Sequence, residues 1–221
     1  MAASSLLLLL ADGRFPGGGH AHSGGLEAAV AQGHVADVAG VAAFCRGRLH
    51  TAGMVAAALA AAAAAGHHPW EALDAEADAR TPSPTLRAAS RQLGRQLVRA
   101  AARIVPGAPL DVLAASVAEP HHPVALGAVA AAAGLGPSDA ALLAAHDSIT
   151  SAATAAVRLL GLDPFAVHAA LAALAAEVDA VASVAAAAAA GPLDDLPATA
   201  SPLLEIGSLH HATWEVRLFA S

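Results

Sequence analysis

The sequence has no lysine and no tyrosine, a single cysteine, and only two tryptophans and four phenylalanines in 221 residues. Each shortage excludes something. All 11 basic residues are arginine, against 18 acidic residues and a formal net charge of −7. Such a chain lacks the phosphate-neutralising surface that supplies most nucleic-acid affinity. The lone Cys45 rules out an internal disulfide and a cysteine-based structural zinc site, and it fits a reducing compartment. Long runs of valine, isoleucine or threonine are missing, which disfavours sandwiches, barrels and doubly wound sheets. The Leu6–Leu10 run has no basic residue before it and meets Asp12 and Arg14 at once, unlike a signal peptide. Met54–Ala65 is mostly alanine and falls short of the roughly 20 apolar residues of a membrane span. The expectation is a soluble, cytoplasmic chain with no membrane and no nucleic-acid partner.

Alanine is what the sequence has in excess, at 67 positions. It is the best helix former and a poor strand residue. This predicts one all-α domain over residues 1–221, a bundle of about nine helices in close approach. Glycine, proline and histidine punctuate it. The first break is Phe15–Gly25, ending near Ser23, a candidate N-cap for a short helix from about Gly24 to Gln32. Asp37 caps a longer helix that runs to Ala65, where Gly66–Pro69 stops it. An acidic helix follows with Glu71, Asp74, Glu76 and Asp78, and Thr81–Pro84 is the next turn. Further helices are expected at 85–104, 109–119, 123–133, 138–161, 164–190 and 202–218.

Two of these have clear faces. Over 85–104, Leu86, Leu93, Leu97 and Ile104 project in one direction, and Arg87, Arg91, Arg95, Arg99 and Arg103 form a positive stripe opposite. Over 164–190, Val167, Leu171, Leu174, Val178 and Val181 recur at 4-3-4-3 spacing, the seam of a helix packed among others.

Chemistry is harder to find. Twelve histidines include His20 and His22 and the pairs His67-His68, His121-His122 and His210-His211. Imidazole suits nickel or zinc, but adjacent histidines on a helix diverge by about 100° and no HExxH or His-x3-His chelate occurs. Surface and turn histidines, or a weak metal contact at one pair, both fit. The glycine-rich loop lacks the lysine of a P-loop and no strand precedes it. Ser23 lies near His20, His22 and Glu27 without a nucleophile elbow. Asp194 and Asp195 sit in a proline-rich turn. The arginine stripe is either a solvated face or a surface for an acidic partner. No residue is assigned as catalytic, none as a metal ligand, and no cofactor is implied.

Asp12–Ala29, DGRFPGGGHAHSGGLEAA, resembles the signature of the UreF family of urease accessory proteins, with Phe15, Pro16, Gly18, His22, Ser23, Gly25, Leu26 and Glu27 in matching positions. It departs from that pattern at Gly13, where serine is usual, and at His20, where phenylalanine is usual. Ala89–Arg99, His121–Leu135 and Ser208–Ser221 are similar to three further family segments in the same order. The resemblance implies an all-α, non-enzymatic adaptor, typically a dimer. With a UreD-type (UreH in some lineages) accessory protein and the UreG GTPase, such an adaptor promotes nickel insertion into apo-urease. A histidine-rich nickel-binding chaperone is the alternative, and an all-α hydrolase a weaker rival. Two surfaces are assigned on this basis. The amino-terminal segment, 1–22 with its glycine-rich loop and the matching residues through Glu27, is expected to help form the GTPase-docking face; the alternative is a loop that merely packs beside the helix beginning near Gly24. Residues 203–221 are expected to dock the UreD-type partner through His210, His211, Trp214, Arg217, Leu218 and Phe219; the alternative is a terminal helix folded back onto its own domain with Trp214 as core filler. A helical projection puts Leu209, Ala212, Val216 and Phe219 on one face and His210, Trp214, Arg217 and Leu218 on another, two large-residue faces where a surface helix needs one.

Overall fold

A computed structural model describes residues 3–220; Met1, Ala2 and Ser221, at the outer ends of the two assigned segments, lie outside the described residues. The described chain is all-α, with eleven helices rather than nine. They are α1 (Ala3–Ala11), α2 (Leu26–Ala31), α3 (Val38–Ala65), α4 (Trp70–Ala79), α5 (Pro84–Ile104) and α6 (Ala108–Ser116). Then come α7 (His122–Ala132), α8 (Pro137–Leu160), α9 (Pro164–Ala173), α10 (Ala175–Ala188) and α11 (Pro202–His211). The extra two are α1, which the leucine run builds, and a division of the expected 164–190 helix. That helix bends by 47° at Leu174, yet Val167, Leu174, Val178 and Val181 are all buried, so the seam survives the bend.

Helix starts and stops follow local chemistry. The Asp37 carboxylate accepts the Gly40 N–H at 2.8 Å, and Gly66 closes α3 at φ 69°. The Ser83 hydroxyl accepts the Leu86 N–H before Pro84 opens α5. On α5 the packing face differs from the expected one: Gly94, Leu97 and Ala101 are buried, while Ile104, the last residue of the helix, is 41% exposed. Gly94 is there because the Pro120 backbone lies against it; an added Cβ would stand 3.0 Å from the Pro120 carbonyl carbon and closer to its oxygen.

The centre of the molecule is α3, packed by α7, α8 and α10. Ala57–Ala63 are all buried, on every side of the helix, as expected for one enclosed by others. By length and composition α3 could cross a membrane, but more than half of its most apolar stretch is covered by the rest of the fold. Its middle is a π-helical turn, Leu49–Gly53. The Thr51 carbonyl there accepts the Thr199 hydroxyl at 2.9 Å, and Ser201 donates to the Thr51 hydroxyl. These bonds strap the segment that leads into α11 over the core helix.

Candidate functional site

The amino-terminal signature folds as a turn built on glycine. Gly18 (φ 88°), Gly24 (φ 62°) and Gly25 (φ 92°) hold left-handed conformations that cost any other residue dearly. A Cβ on Gly18 would also meet the end of the Gln96 side chain, its Cδ at 2.9 Å, but that side chain can turn away, so the left-handed φ is what requires glycine there. A Cβ on Gly25 would come within 2.9 Å of Leu204 on α11. Ser23 serves α2 as expected, its hydroxyl accepting the Glu27 N–H at 3.2 Å. The Gly24 carbonyl accepts from Arg48 Nη1, and Arg48 Nε donates to the Ser148 carbonyl, both at 2.8 Å. Burial pushes the Arg48 guanidinium below its ordinary pKa, partly offset by Asp147 nearby. Arg48 therefore ties the signature loop to α3 and α8.

Exposure divides the signature residues. His22, Ser23, Leu26 and Glu27 are buried; Phe15, Gly18 and Gly25 are half-buried; Pro16 is exposed. Most of the motif thus shapes the fold from inside.

The carboxy-terminal segment corrects the helical projection. Helix α11 ends at His211, not 218, and residues 212–220 turn and then run irregularly across the amino-terminal loop. The buried Glu27 carboxylate gathers donors from this segment. One oxygen accepts Leu218 N–H at 2.8 Å, and the other accepts Phe219 N–H at 3.0 Å and His211 Nε2–H at 2.9 Å. Ala220 N–H then donates to the Ala21 carbonyl at 2.8 Å. Consequently the two expected faces dissolve. Phe219 is buried beneath Arg158, whose guanidinium carbon stands 5.0 Å from the ring centroid, while Val216 is 82% exposed. Trp214 is half-buried, its ring centroid 4.7 Å from that of His211 and 5.9 Å from that of His210. His211 is buried, and His210, Arg217 and Leu218 are exposed. Leu203, Ile206 and Leu209, at three-residue spacing on α11, are exposed, as are Val216 and Leu218 beyond it.

Between the signature loop, α3, α5 and α8 lies an open cleft of about 1330 Å³. His20, His22, Arg48, His122, His146 and Asp147 contribute its polar lining. Burial lowers the pKa of both His22 and His122, favouring neutral imidazoles. The sequence pairs histidines by adjacency, whereas the fold assembles them from three separate segments.

A second polar cluster was not legible as one unit. The acidic helix α4 and the arginine stripe of α5 meet each other. Arg91 donates to Asp74 at 2.9 Å and to Asp78 at 2.7 Å, Arg87 lies 3.7 Å from Asp78, and Arg95 pairs with Glu119. The His121 N–H donates to Asp74 at 2.8 Å, and its Nε2–H to Asp78 at 2.8 Å. Ser90 Oγ accepts the His122 N–H at 3.1 Å and donates to His121 Nδ1 at 3.0 Å. The donors and acceptors all match when His121 is neutral, and burial lowers its pKa in that sense against the pull of Asp78. Burial opposes ionisation of Asp78, but hydrogen bonds from His121 and Arg91 outweigh it and hold the carboxyl below its usual range. Asp74, Asp78 and His121 bring ligand atoms within 4.8 Å of one another. Arg91, bridging both carboxylates, already stands where a cation would be. The stripe is thus in part an internal counter-charge, and the signal for it was the run of acids at helical spacing on α4.

Comparison with known proteins adds what geometry alone does not. A family model described as UreF matches residues 35–175. The chain is 46% identical to the urease accessory protein UreF of Mycolicibacterium vanbaalenii over 224 residues, covering the whole of both. It is 46% identical to that of Mycobacterium sp. strain JLS, again over both whole chains. With that of Mycobacterium tuberculosis it shares 43% identity over 167 residues, 76% of this chain and 78% of the other. Each relative is named as an accessory protein, not as an enzyme.

Proposed function

Because the chain belongs to the UreF family of urease accessory proteins, we propose that it is a non-enzymatic adaptor in nickel insertion. It works in the cytoplasm as a dimer and as one domain, joining a UreD-type accessory protein to the UreG GTPase on apo-urease, with nickel as cargo. The observation that carries this reading is the end-to-end match to relatives named as urease accessory proteins. The exposed Leu203, Ile206, Leu209, Val216 and Leu218 support docking of the UreD-type partner on residues 203–221, since exposed apolar side chains concentrated in one segment mark interaction sites. His210, Trp214 and Arg217 would join them in contact, whereas His211 and Phe219, both buried, act from the inside. The glycine turn with Phe15, Pro16 and Gly18 offers a shaped surface for the GTPase. His22, Ser23, Gly25 and Leu26 hold that shape. Deleting the gene tests the reading: urease should be made as apo-protein and lack activity, and excess nickel should restore little of it. Full urease activity in the deletion strain would refute it. Co-purification with the two accessory partners tests the adaptor role directly.

A second reading rests on one observation, the convergence of His22, His122 and His146 on a single cleft. As a nickel-binding chaperone, the isolated protein would take up nickel stoichiometrically. Isothermal titration showing no nickel uptake rejects that role and leaves the adaptor role standing.

A further inference from the structure

Glu27 is a carboxylate with only 7% of its surface exposed. A charge so placed is strongly unfavourable unless donors surround it. Its partners are not on neighbouring helices of the core. Two are consecutive backbone amides, Leu218 and Phe219, and the third is His211 at the end of α11. An irregular segment of this kind is ordinarily mobile unless tied down. Here it is fixed at three levels: by Glu27, by the Ala220–Ala21 backbone bond, and by Phe219 buried under Arg158. With Phe219 turned inward, Val216 and Leu218 are left 82% and 67% exposed.

We propose that Glu27 is a positioning residue for the carboxy-terminal docking segment: its buried carboxylate clamps the Leu218 and Phe219 amides so that Val216 and Leu218 stand outward. The clamp rests on the docking role of residues 203–221 for its purpose, and on the hydrogen bonds alone for its existence. It couples the two ends of the chain. The glycine turn sets where Glu27 stands, through the Ser23 hydroxyl on its amide and the left-handed Gly24 and Gly25 before it. Glu27 in turn sets where the tail runs. Displacement of the amino-terminal loop by one partner would therefore reach the surface offered to the other without any change in the core helices.

The test uses the full chain and two readouts, amide hydrogen exchange resolved to the tail and binding to the UreD-type partner from the same organism. In the wild-type protein the Leu218 and Phe219 amides should be protected; exchange at free-tail rates would overturn the clamp without any substitution. Glu27→Ala should lower their protection at least about tenfold, the scale of one hydrogen bond to a charged group, while α3, α7 and α8 keep theirs. Partner binding should fall with it. Tail protection lost with binding unchanged would overturn the positioning role. If Glu27→Ala does not fold, Glu27→Gln carries the test. It keeps the volume but turns one acceptor into a donor facing other donors, and wild-type tail protection in that variant would overturn the clamp. Leu218→Asp leaves both amides and Glu27 in place and should abolish partner binding. Binding that survives Leu218→Asp refutes docking through this segment, whatever the exchange data say about Glu27.

Discussion

Gly127 on α7 lies against α3 in the core. A Cβ added there would stand 2.5 Å from the Ala63 Cβ and 3.0 Å from the Ala64 nitrogen, with the Ala60 carbonyl oxygen nearer still. Ordinary contact begins near 3.4 Å, so the two helices would have to separate by at least about 0.9 Å. Nothing flexible is present to yield, because the opposing atoms are backbone and alanine methyls. Two effects compete in Gly127→Ala. Helix propensity favours alanine by about 1 kcal/mol. Overpacking a closed core typically costs about 1–3 kcal/mol, and backbone opposition puts this site at the upper end. The net expectation is destabilisation by about 1–2 kcal/mol, a fall in Tm of about 2–8 °C for a chain of this size. Gly47 supplies the control. It is exposed within α3 and a Cβ there would meet nothing within 4 Å, so Gly47→Ala should gain most of the propensity term and raise Tm by about 1–4 °C. Paired thermal melts decide it. A Gly127→Ala protein as stable as Gly47→Ala would refute the claim that close α3–α7 approach holds the core.

Removing Arg91 as Arg91→Met leaves Asp74 and Asp78 facing each other without their counter-charge. The site is partly solvated, so the loss should fall between exposed-pair and buried-pair values, about 1–3 kcal/mol by urea unfolding, and a change under about 0.5 kcal/mol would contradict the network. Acidification should act through the histidines. The folded pKa values of His22, His121 and His122 lie below the ordinary 6.5 chiefly because of burial. The unfolded chain therefore takes up protons first, and stability, complete above pH 6.5, is lost as pH falls toward the folded values. Tm should be flat from about pH 7 to 8 and decline below about 6.5; a Tm that rises on acidification refutes the sign. Burial pushes the Cys45 thiol up to about 11, so a thiol reagent at pH 8 should label it only as fast as the core opens. Immediate stoichiometric labelling of the native protein would show that Cys45 is not enclosed.

The helical class and most helix boundaries were legible because alanine content, glycine and proline breaks, and caps such as Asp37 and Ser83 act within a few residues of where they stand. The family resemblance was legible for the same local reason, since its motifs are short and ordered. What could not be read depended on distant partners. The projection of residues 203–218 as one helix failed beyond His211, where the Leu218 and Phe219 amides bond Glu27, far away in sequence, instead of a helical carbonyl. The arginine stripe read as a surface because its counter-charges lie on the preceding helix, and helical spacing says nothing about how two helices face. Ile104 read as core because periodicity does not say which neighbours cover the last turn of a helix. The projection put Val216 and Phe219 on one face, whereas Phe219 is interior and Val216 exposed, because the chain beyond His211 is not helical.

The core raises a final question of uniqueness. A stripe of near-identical alanines along α3, α7 and α8 gives little shape by which one register differs from a neighbouring one, and uniform cores are known to under-specify their packing. Polar groups that are satisfied in only one arrangement supply what shape does not. Arg48 finds two carbonyls, Glu27 finds the tail amides, and Arg91 with His121 binds α4, α5 and α7 at one register. Such networks add little net stability and are sometimes better replaced by apolar residues. The hypothesis that this one acts chiefly on register has a direct test in the combination Asp74→Asn, Asp78→Asn and Arg91→Met. The asparagines preserve acceptors for the His121 N–H and Nε2–H, and the three changes together remove both carboxylates and the guanidinium that bridges them. Stability should change by no more than about 1 kcal/mol, since no buried charge is left unpaired and Arg87 keeps its bonds to the Thr81 and Pro82 carbonyls. Amide chemical-shift dispersion around α4, α5 and α7 should nevertheless narrow or double, as alternative registers become populated. A single, fully dispersed set of resonances would show that alanine packing alone specifies the register, and that the network has no such role.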